Sequence, residues 1–518
     1  MNTPLRRVSL AVMVMIVALL GQATWIQVVK ADQFRSDPRN QRALLDEYSR
    51  QRGQISAGGQ VLAQSVATTD QYKYLRTYLN GPMYAPVTGY YSRDYGTGGV
   101  ERALDGVLNG SDDRLFVRRV SDLVTGRNPS GGNVALTIDP RLQETAYNEM
   151  TSRGYRGSVV AIRPQTGEIL AMVSTPSYDP NPLASHDAST QTQAYKAYKA
   201  LQTGPDSTAT SPLLNKAISE TYPPGSTFKL VDTAAALEAN LITPQTPVEA
   251  GPRITLPNTA TTLENYNGEP CGPGSTVPFA VALAKSCNGP FALLADQVGA
   301  DRLRAQAQKF GFADPSLTVP TRVEPSDLGP LPDAAALAQS GIGQRDVRVT
   351  PMQNAQIVAT IANGGVPVAP HLVGRILARD LSVVDQTKPE PQPPAISPTT
   401  ADTLTQLMMG SENQGNAPGK IPGVQIASKT GTAEWGPTPK TTPPHTWYSA
   451  FGPVPNPTVA VSVIVEAGGN RGDDATGNSV AGPIGRAVIA AALQSKRCPA
   501  NHRHSDVGSR RAGRGADE

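Results

Sequence analysis

The sequence predicts an α+β protein: an antiparallel sheet flanked by helices with a helical lobe beside it, preceded by a smaller β-rich domain and one transmembrane helix. Three observations carry this expectation. Residues 8–29 include no charged side chain, and Arg6 and Arg7 stand directly before them. Between about 30 and 132, Tyr-rich strand-like pieces, including residues 90–93 and 98–101, alternate with turns, as in small β units. From 133 to 495, strand-like apolar runs come at both ends with a helix-rich middle between them, the order of a single sheet closed by late strands.

Roughly 20 apolar residues cross a bilayer, and the positive flank assigns residues 1–7 to the cytoplasm and the rest to the outside. Gly21-Gln22-Ala23 is a faint small-x-small signal, so a removed signal peptide is the alternative. Residues 32–52 are charged and helix-compatible, and a first, non-catalytic domain then opens with a Gly-rich turn before Val61-Leu62-Ala63. Residues 133–139 read as a strand, and Pro140 opens a helix that runs to about Ser152. Residues 158–162 and 168–173 form a hairpin through Pro164-Gln165-Thr166-Gly167. Helices dominate from about 191 to 308. Strands recur around Lys429, at 447–451 and at 459–465, before a last helix at about 481–493. The Pro-rich residues 388–398 read as a surface loop, and the basic residues 496–518 as a disordered tail.

A net charge of +3 over 518 residues gives no case for nucleic-acid binding. The five His are scattered without a metal pattern, so neither a metal nor a cofactor is expected. Cys271 and Cys287 lie in the segment assigned to the outside, where oxidation is permitted; they pair as a disulfide or remain two free or buried thiols. The chemistry centres on Ser226 and Lys229, three apart after Pro223-Pro224-Gly225 and before a helical run. Residues three apart share a helix face, so the Lys229 amine can reach the Ser226 hydroxyl, and a hydroxyl needs such a partner to become a nucleophile near neutral pH. The helix start also favours the negative charge of an oxyanion. Alone, this pair reads first as an ordinary N-cap and a surface lysine. Ser286-Cys287-Asn288 and Lys429-Thr430-Gly431-Thr432 follow it in order and complete the penicillin-recognising signature set.

With these motifs, and with Arg52-Gly53-x-Ile55, Leu136-Thr137-Ile138-Asp139, Gly341-Ile342-Gly343-Gln344 and Thr350-Pro351, the chain resembles the class B penicillin-binding proteins. These are membrane-anchored peptidoglycan D,D-transpeptidases, and the likeness is greatest to the actinobacterial PbpA type. The resemblance implies a penicillin-binding transpeptidase fold over 133–495 and a dimerisation or pedestal-like domain over 30–132. It implies that Ser226 attacks the carbonyl between the two terminal D-alanines of a stem peptide, that Lys229 accepts its proton, and that Ser286 relays a proton to the leaving amine. Asn288 would hold the acyl chain's backbone, and Lys429 with the Thr430 and Thr432 hydroxyls would hold the terminal carboxylate. Gly431 would keep the strand open to substrate, and the backbone N–H groups of Ser226 and Thr432 would form the oxyanion hole. The implied partners are stem peptides, β-lactams, the membrane, and a polytopic glycan polymerase of the shape, elongation, division and sporulation family.

Two departures stand out: Ser56-Ala57-Gly58-Gly59 replaces the family's usual Asp-Arg pair, and Cys287 sits in the middle of the second motif. The competing functions are a serine β-lactamase, a β-lactam sensor, and a noncatalytic scaffold of the elongation or division complex. Arg322-Val323-Glu324-Pro325 resembles the loop that opens toward the deacylating water in class A β-lactamases, but Leu328 stands where an Asn should help hold that water. Glu324 is therefore expected to be a surface-loop carboxylate.

Overall fold

Residues Asn2–Thr24 form an α-helix that continues as a π-helical turn over Trp25–Val29. Within Pro4–Val29 an 18-residue window has a mean hydropathy of 2.0, and every side chain is exposed, which makes the helix long and apolar enough to cross a membrane. Its hydroxyls bond within the helix, Ser9 to Leu5 O and Thr24 to Leu20 O, and so need no water. The computed structural model describes residues 2–30, 48–115, 130–200, 211–414, 417–436, 438 and 441–495. Most of the helix expected over 32–52, the tail 496–518 and Cys498 lie outside the described residues.

The chain divides into two compact units. The first comprises residues up to 136 together with 177–214 and 373–387. Its six-stranded sheet runs in the order Val383–Gln386, Val373–Leu377, Asn133–Leu136, Ile55–Ala57, Gln60–Ala67, Tyr74–Tyr78. Ile55–Ala57 pairs in parallel with Asn133–Leu136, and the other pairs are antiparallel. Gly58 and Gly59, both at positive φ, make the tight turn after the Arg-Gly-x-Ile stretch. The β-rich expectation for 81–109 is corrected: only Tyr91–Ser92 and Gly96–Thr97 pair there, beside short helices at Gly81–Thr88, Gly99–Ala103 and Asp105–Asn109. A buried carboxylate decides this. Glu101 is fully buried and takes the Nε of both Arg52 and Arg76 at 2.6 Å, and the Arg52 guanidinium also lies 4.3 Å over the Tyr91 ring. Arg52 of the first recognised motif thus serves packing inside this unit.

The second unit holds the three signature motifs. It begins with α1 (Pro140–Thr151), where Asp139 caps the helix by accepting the Arg141 N–H at 2.9 Å and Pro140 takes the first turn. The hairpin β1 (Gly157–Ile162) and β2 (Ile169–Thr175) follows as expected. The middle supplies α2 (Lys229–Glu238), α3 (Asn288–Val298), α4 (Ala334–Gly341), α5 (Pro351–Ala362) and α6 (Pro398–Glu412). The late elements are β3 (Ala427–Ala433), β4 (His445–Gly452), β5 (Val459–Val465) and α7 (Ala481–Ser495). The sheet is antiparallel throughout, in the order β3-β4-β5-β1-β2, which leaves β3 at an edge. Every residue of β1, β2, β4 and β5 is buried because helices cover both faces. α1 and α7 pack on one face through Leu142, Met150, Ile484 and Val488, while α5 packs against β1, β4 and β5. This explains why the strands read as continuous apolar runs.

Two details differ from expectation. The helix-rich middle contains two small hairpins, Pro247–Glu249 with Thr276–Pro278 and Arg253–Thr255 with Thr262–Glu264. The Pro-rich stretch is exposed except at Ala395 and Ile396, which are buried, and Ser397 caps α6 through the Thr400 N–H at 3.2 Å.

Candidate active site

Pro223, Pro224 and Gly225 end the extended approach and start a 3-10 turn over Gly225–Thr227 that runs into α2. Gly225 has φ +52°, and a Cβ there would come 2.9 Å from the Thr432 carbonyl oxygen, so only glycine lets this loop lie against β3. Of residues 222–230, Ser226 alone is partly exposed; all the others are buried. A Cβ on Gly431 would come 2.8 Å from Pro224 O and 3.1 Å from both the Thr227 and Trp447 side chains. The room left by Gly431 is therefore filled by the 223–227 loop and β4, and its physical role is close packing instead of an opening toward substrate.

Lys229 is fully buried. Its Nζ donates to Ser286 O at 2.8 Å, Cys287 O at 3.0 Å and Asn288 Oδ1 at 2.9 Å. Among the described residues, no hydrogen bond joins it to the Ser226 hydroxyl, although the spacing led us to expect that pair to be in reach. An ammonium can serve all three acceptors, whereas a free amine donates to two and keeps a lone pair. Burial, and then the charge of Lys429, hold the Lys229 amine well below the ordinary lysine range, while Asp232 pulls the other way. Asp232, one turn further along α2, is itself fully buried, and neither of its carboxyl oxygens has a hydrogen-bond partner among the described residues. Burial pushes its carboxyl far up, Lys229 opposing.

Ser286 follows the helix Phe279–Lys285 in a left-handed conformation, φ 60° and ψ 35°, which turns the chain into α3. Lys429 Nζ donates to the Ser286 hydroxyl at 2.7 Å and to Thr430 O at 2.9 Å. Two lysines therefore meet Ser286, one at its carbonyl and one at its hydroxyl. Lys429 is wholly buried, and burial brings it down to about 7. Only Thr430 and Thr432 of this motif are partly exposed, so a ligand carboxylate would meet their hydroxyls with the Lys429 charge behind them. Asn288 gives its Oδ1 to Lys229 and one Nδ2 hydrogen to Glu264 O at 2.9 Å, leaving a second Nδ2 hydrogen. Cys271 and Cys287 are bonded, with Cα atoms 5.8 Å apart.

Sequence reasoning missed several groups around the site. Gln344, with its amide oriented to satisfy both contacts, brackets the backbone of Glu434 just past β3, donating to its oxygen at 3.3 Å and accepting its N–H at 3.2 Å. The Gly-Ile-Gly-Gln stretch was noted as a likeness, but nothing in its spacing announced this clamp. Asp232 looked like an ordinary polar position on a helix. Glu324 is exposed in its loop, and its backbone N–H donates to Ile218 O at 2.7 Å. Among the described residues, no cluster of His, Cys, Asp and Glu could hold a metal ion.

A serine at a helix start, with two buried lysines that converge on Ser286, one of them on the edge strand of a five-stranded sheet, carries the signature set of the penicillin-recognising serine acyltransferases. Residues 157–490 match the penicillin binding protein transpeptidase domain and residues 52–134 the penicillin binding protein A dimerisation domain, and the chain belongs to the penicillin-binding protein family. It is 56% identical to peptidoglycan D,D-transpeptidase PbpA of Mycolicibacterium smegmatis, over 95% of this chain and 99% of that one. It is 54% identical to the protein of the same description from Mycobacterium tuberculosis, over 96% and 100%. The solved ceftriaxone acyl-enzyme complex of penicillin-binding protein A from M. tuberculosis superposes with a TM-score of 0.83 at 53% identity, covering 87% of this chain and all of that one.

Proposed function

We infer that this chain is a serine D,D-transpeptidase that cross-links peptidoglycan stem peptides through an acyl-enzyme and is acylated by β-lactams. The observation that carries the reading is the partly exposed Ser226 three residues before the buried Lys229, whose basicity burial and the charge of Lys429 lower, favouring the free amine that can take a proton. Ser226 Oγ attacks the carbonyl between the two terminal D-alanines while its proton passes to Lys229 Nζ. The oxyanion is met by the N–H groups of Ser226 and Thr432, a reading supported by the contact between Gly225 and the Thr432 backbone. The C–N bond then breaks, and D-alanine leaves with a proton relayed through Ser286. Asn288 holds the acyl chain, and an amine from a neighbouring stem peptide attacks the ester carbonyl to form the cross-link.

The charge of Lys429 gives this reading a pH signature. A group brought down to about 7 is charged below that pH and neutral above it, so attraction for the ligand carboxylate fades as pH rises through about 7. The second-order rate constant for penicillin acylation is expected to fall over that range. Lys429→Arg, which stays charged, should move the fall to higher pH; an unmoved fall would assign it to another group.

A β-lactamase would hydrolyse the ester quickly. The exposed position of Glu324 supports slow deacylation: the penicilloyl-enzyme should persist for many minutes, with Glu324→Gln leaving that lifetime nearly unchanged. Rapid penicillin turnover that Glu324→Gln abolishes would replace the transpeptidase by a hydrolase.

Around this centre, residues 8–29, within the apolar helix Pro4–Val29, are read as an uncleaved anchor with residues 1–7 in the cytoplasm and the transpeptidase domain, 133–495, outside. N-terminal sequencing of the mature protein that begins near Thr24 would instead show cleavage. Residues 30–132 form the non-catalytic domain, and a polytopic glycan polymerase of the shape, elongation, division and sporulation family supplies the strands. The Cys271–Cys287 bridge, spanning 16 residues, adds about 3 kcal/mol in the chain-entropy model.

A further inference from the structure

Asn265 follows the strand Thr262–Glu264 and is 7% exposed. Its carboxamide makes four hydrogen bonds. Oδ1 accepts the backbone N–H of Asn288 at 2.8 Å and of Gly289 at 3.2 Å, and Nδ2 donates to Gly251 O at 3.0 Å and Glu269 O at 3.1 Å. Both hydrogens and both lone pairs are used, so the amide orientation is fixed by its surroundings.

The bonds to Asn288 and Gly289 replace a cap that α3 lacks. Cys287 occupies the N-cap position, but its side chain makes no capping hydrogen bond and its sulfur is taken by Cys271. The first N–H groups of a helix need an acceptor, and Asn265 supplies it from 23 residues upstream. Next to it, Glu264 O takes the Asn288 side-chain N–H at 2.9 Å. Residues 264 and 265 thereby grip Asn288 by side chain and backbone alike.

The chain gripped here carries every acceptor of Lys229: Ser286 O, Cys287 O and Asn288 Oδ1. A buried amine that donates two hydrogens has its lone pair aimed by where those acceptors stand. We propose that Asn265 is a positioning residue for acylation, capping α3 from outside so that the acceptors of Lys229 stay in place and the amine faces Ser226. This rests on Lys229 being the base, and it assigns to the 250–271 segment a part in the reaction that no sequence motif marks.

The test is pre-steady-state acylation of the full-length chain in detergent by a chromogenic penicillin analogue, across pH. Asn265→Ala should lower the first-order acylation rate by about 10- to 100-fold while the β-lactam dissociation constant changes by less than about threefold, because geometry is lost and not ligand contact. Its acid limb should move to lower pH, since the lost acceptors favoured the ammonium. Asn265→Asp keeps an oxygen for the two N–H groups at a helix start that favours negative charge but loses both donations to Gly251 O and Glu269 O, and should recover part of the plateau rate with its acid limb moved up. If Asn265→Ala fails to fold, the limb shift of Asn265→Asp decides alone. An unchanged rate in Asn265→Ala, or an Asn265→Asp variant with no rescue and no limb shift, overturns the proposal. Lys229→Ala is measured alongside: normal acylation there refutes the base assignment itself, whereas a dead Lys229→Ala beside an unaffected Asn265→Ala refutes only the positioning role.

Discussion

Lys229→Ala is expected to slow acylation of Ser226 by about 10²- to 10⁴-fold, the usual contribution of a general base. In the proposed mechanism this buried amine, with three acceptors around it and its basicity lowered by burial and by Lys429, takes the Ser226 proton. The substitution leaves Ser286 O, Cys287 O and Asn288 Oδ1 without that donor, so circular dichroism should accompany the kinetics to show that the fold survives. Stopped-flow acylation by a fluorescent penicillin reads the effect. A folded variant that acylates at the parent rate would assign the proton to another group.

Glu412→Ala is expected to cost about 3–5 kcal/mol of stability, the range found when one member of a buried ion pair is removed. Glu412 is 6% exposed and accepts Arg486 Nε at 2.7 Å and Nη2 at 3.1 Å, Tyr448 Oη at 3.1 Å and Ser428 Oγ at 2.5 Å. Arg486 is 1% exposed and would keep a buried charge without its carboxylate. Ser428 precedes Lys429 on β3, so the loss also reaches the strand that carries the third motif. Denaturant unfolding of the single variants and of Glu412→Ala/Arg486→Ala should show the double variant less unstable than the sum of the singles. A loss below about 1 kcal/mol in Glu412→Ala would mean that water reaches the pair and screens it.

Elements bounded by strong local signals were legible in the sequence. Pro140 marked α1, Pro164 to Gly167 marked the β1–β2 turn, and the apolar runs of β4, β5 and α7 stand where they were read. The helices at Gly81–Thr88 and Gly99–Ala103 were not, because Tyr and Gly locally favour strands and turns. What overrides that preference is Glu101, whose two arginine partners lie 49 and 25 residues away. Likewise Val373–Leu377 pairs with Asn133–Leu136 and draws 373–387 into the first unit, a pairing that no short window contains.

The candidate site divides the same way. Helix spacing paired Ser226 with Lys229, and the match of the ordered motifs to the penicillin-recognising signature set singled out Ser286, Asn288 and Lys429. The hydrogen bonds that define their states connect residues 57 to 143 positions apart, from Lys229 to Ser286 and from Lys429 to the same serine. Lys429 was read as holding a ligand carboxylate; that it lies buried with its Nζ on the Ser286 hydroxyl, behind the partly exposed Thr430 and Thr432, was not legible, since burial depends on distant elements. Asn265, Asp232 and Gln344 carry no motif; their roles come from which oxygens and N–H groups the fold leaves beside them.

The central claim is that Ser226 forms the acyl-enzyme, and mass spectrometry of the full-length chain after exposure to penicillin G tests it most directly. The account predicts one covalent penicilloyl addition, located by peptide mapping to the peptide that contains Ser226 and missing from Ser226→Ala. An adduct on a peptide without Ser226, or full labelling of Ser226→Ala, would contradict it.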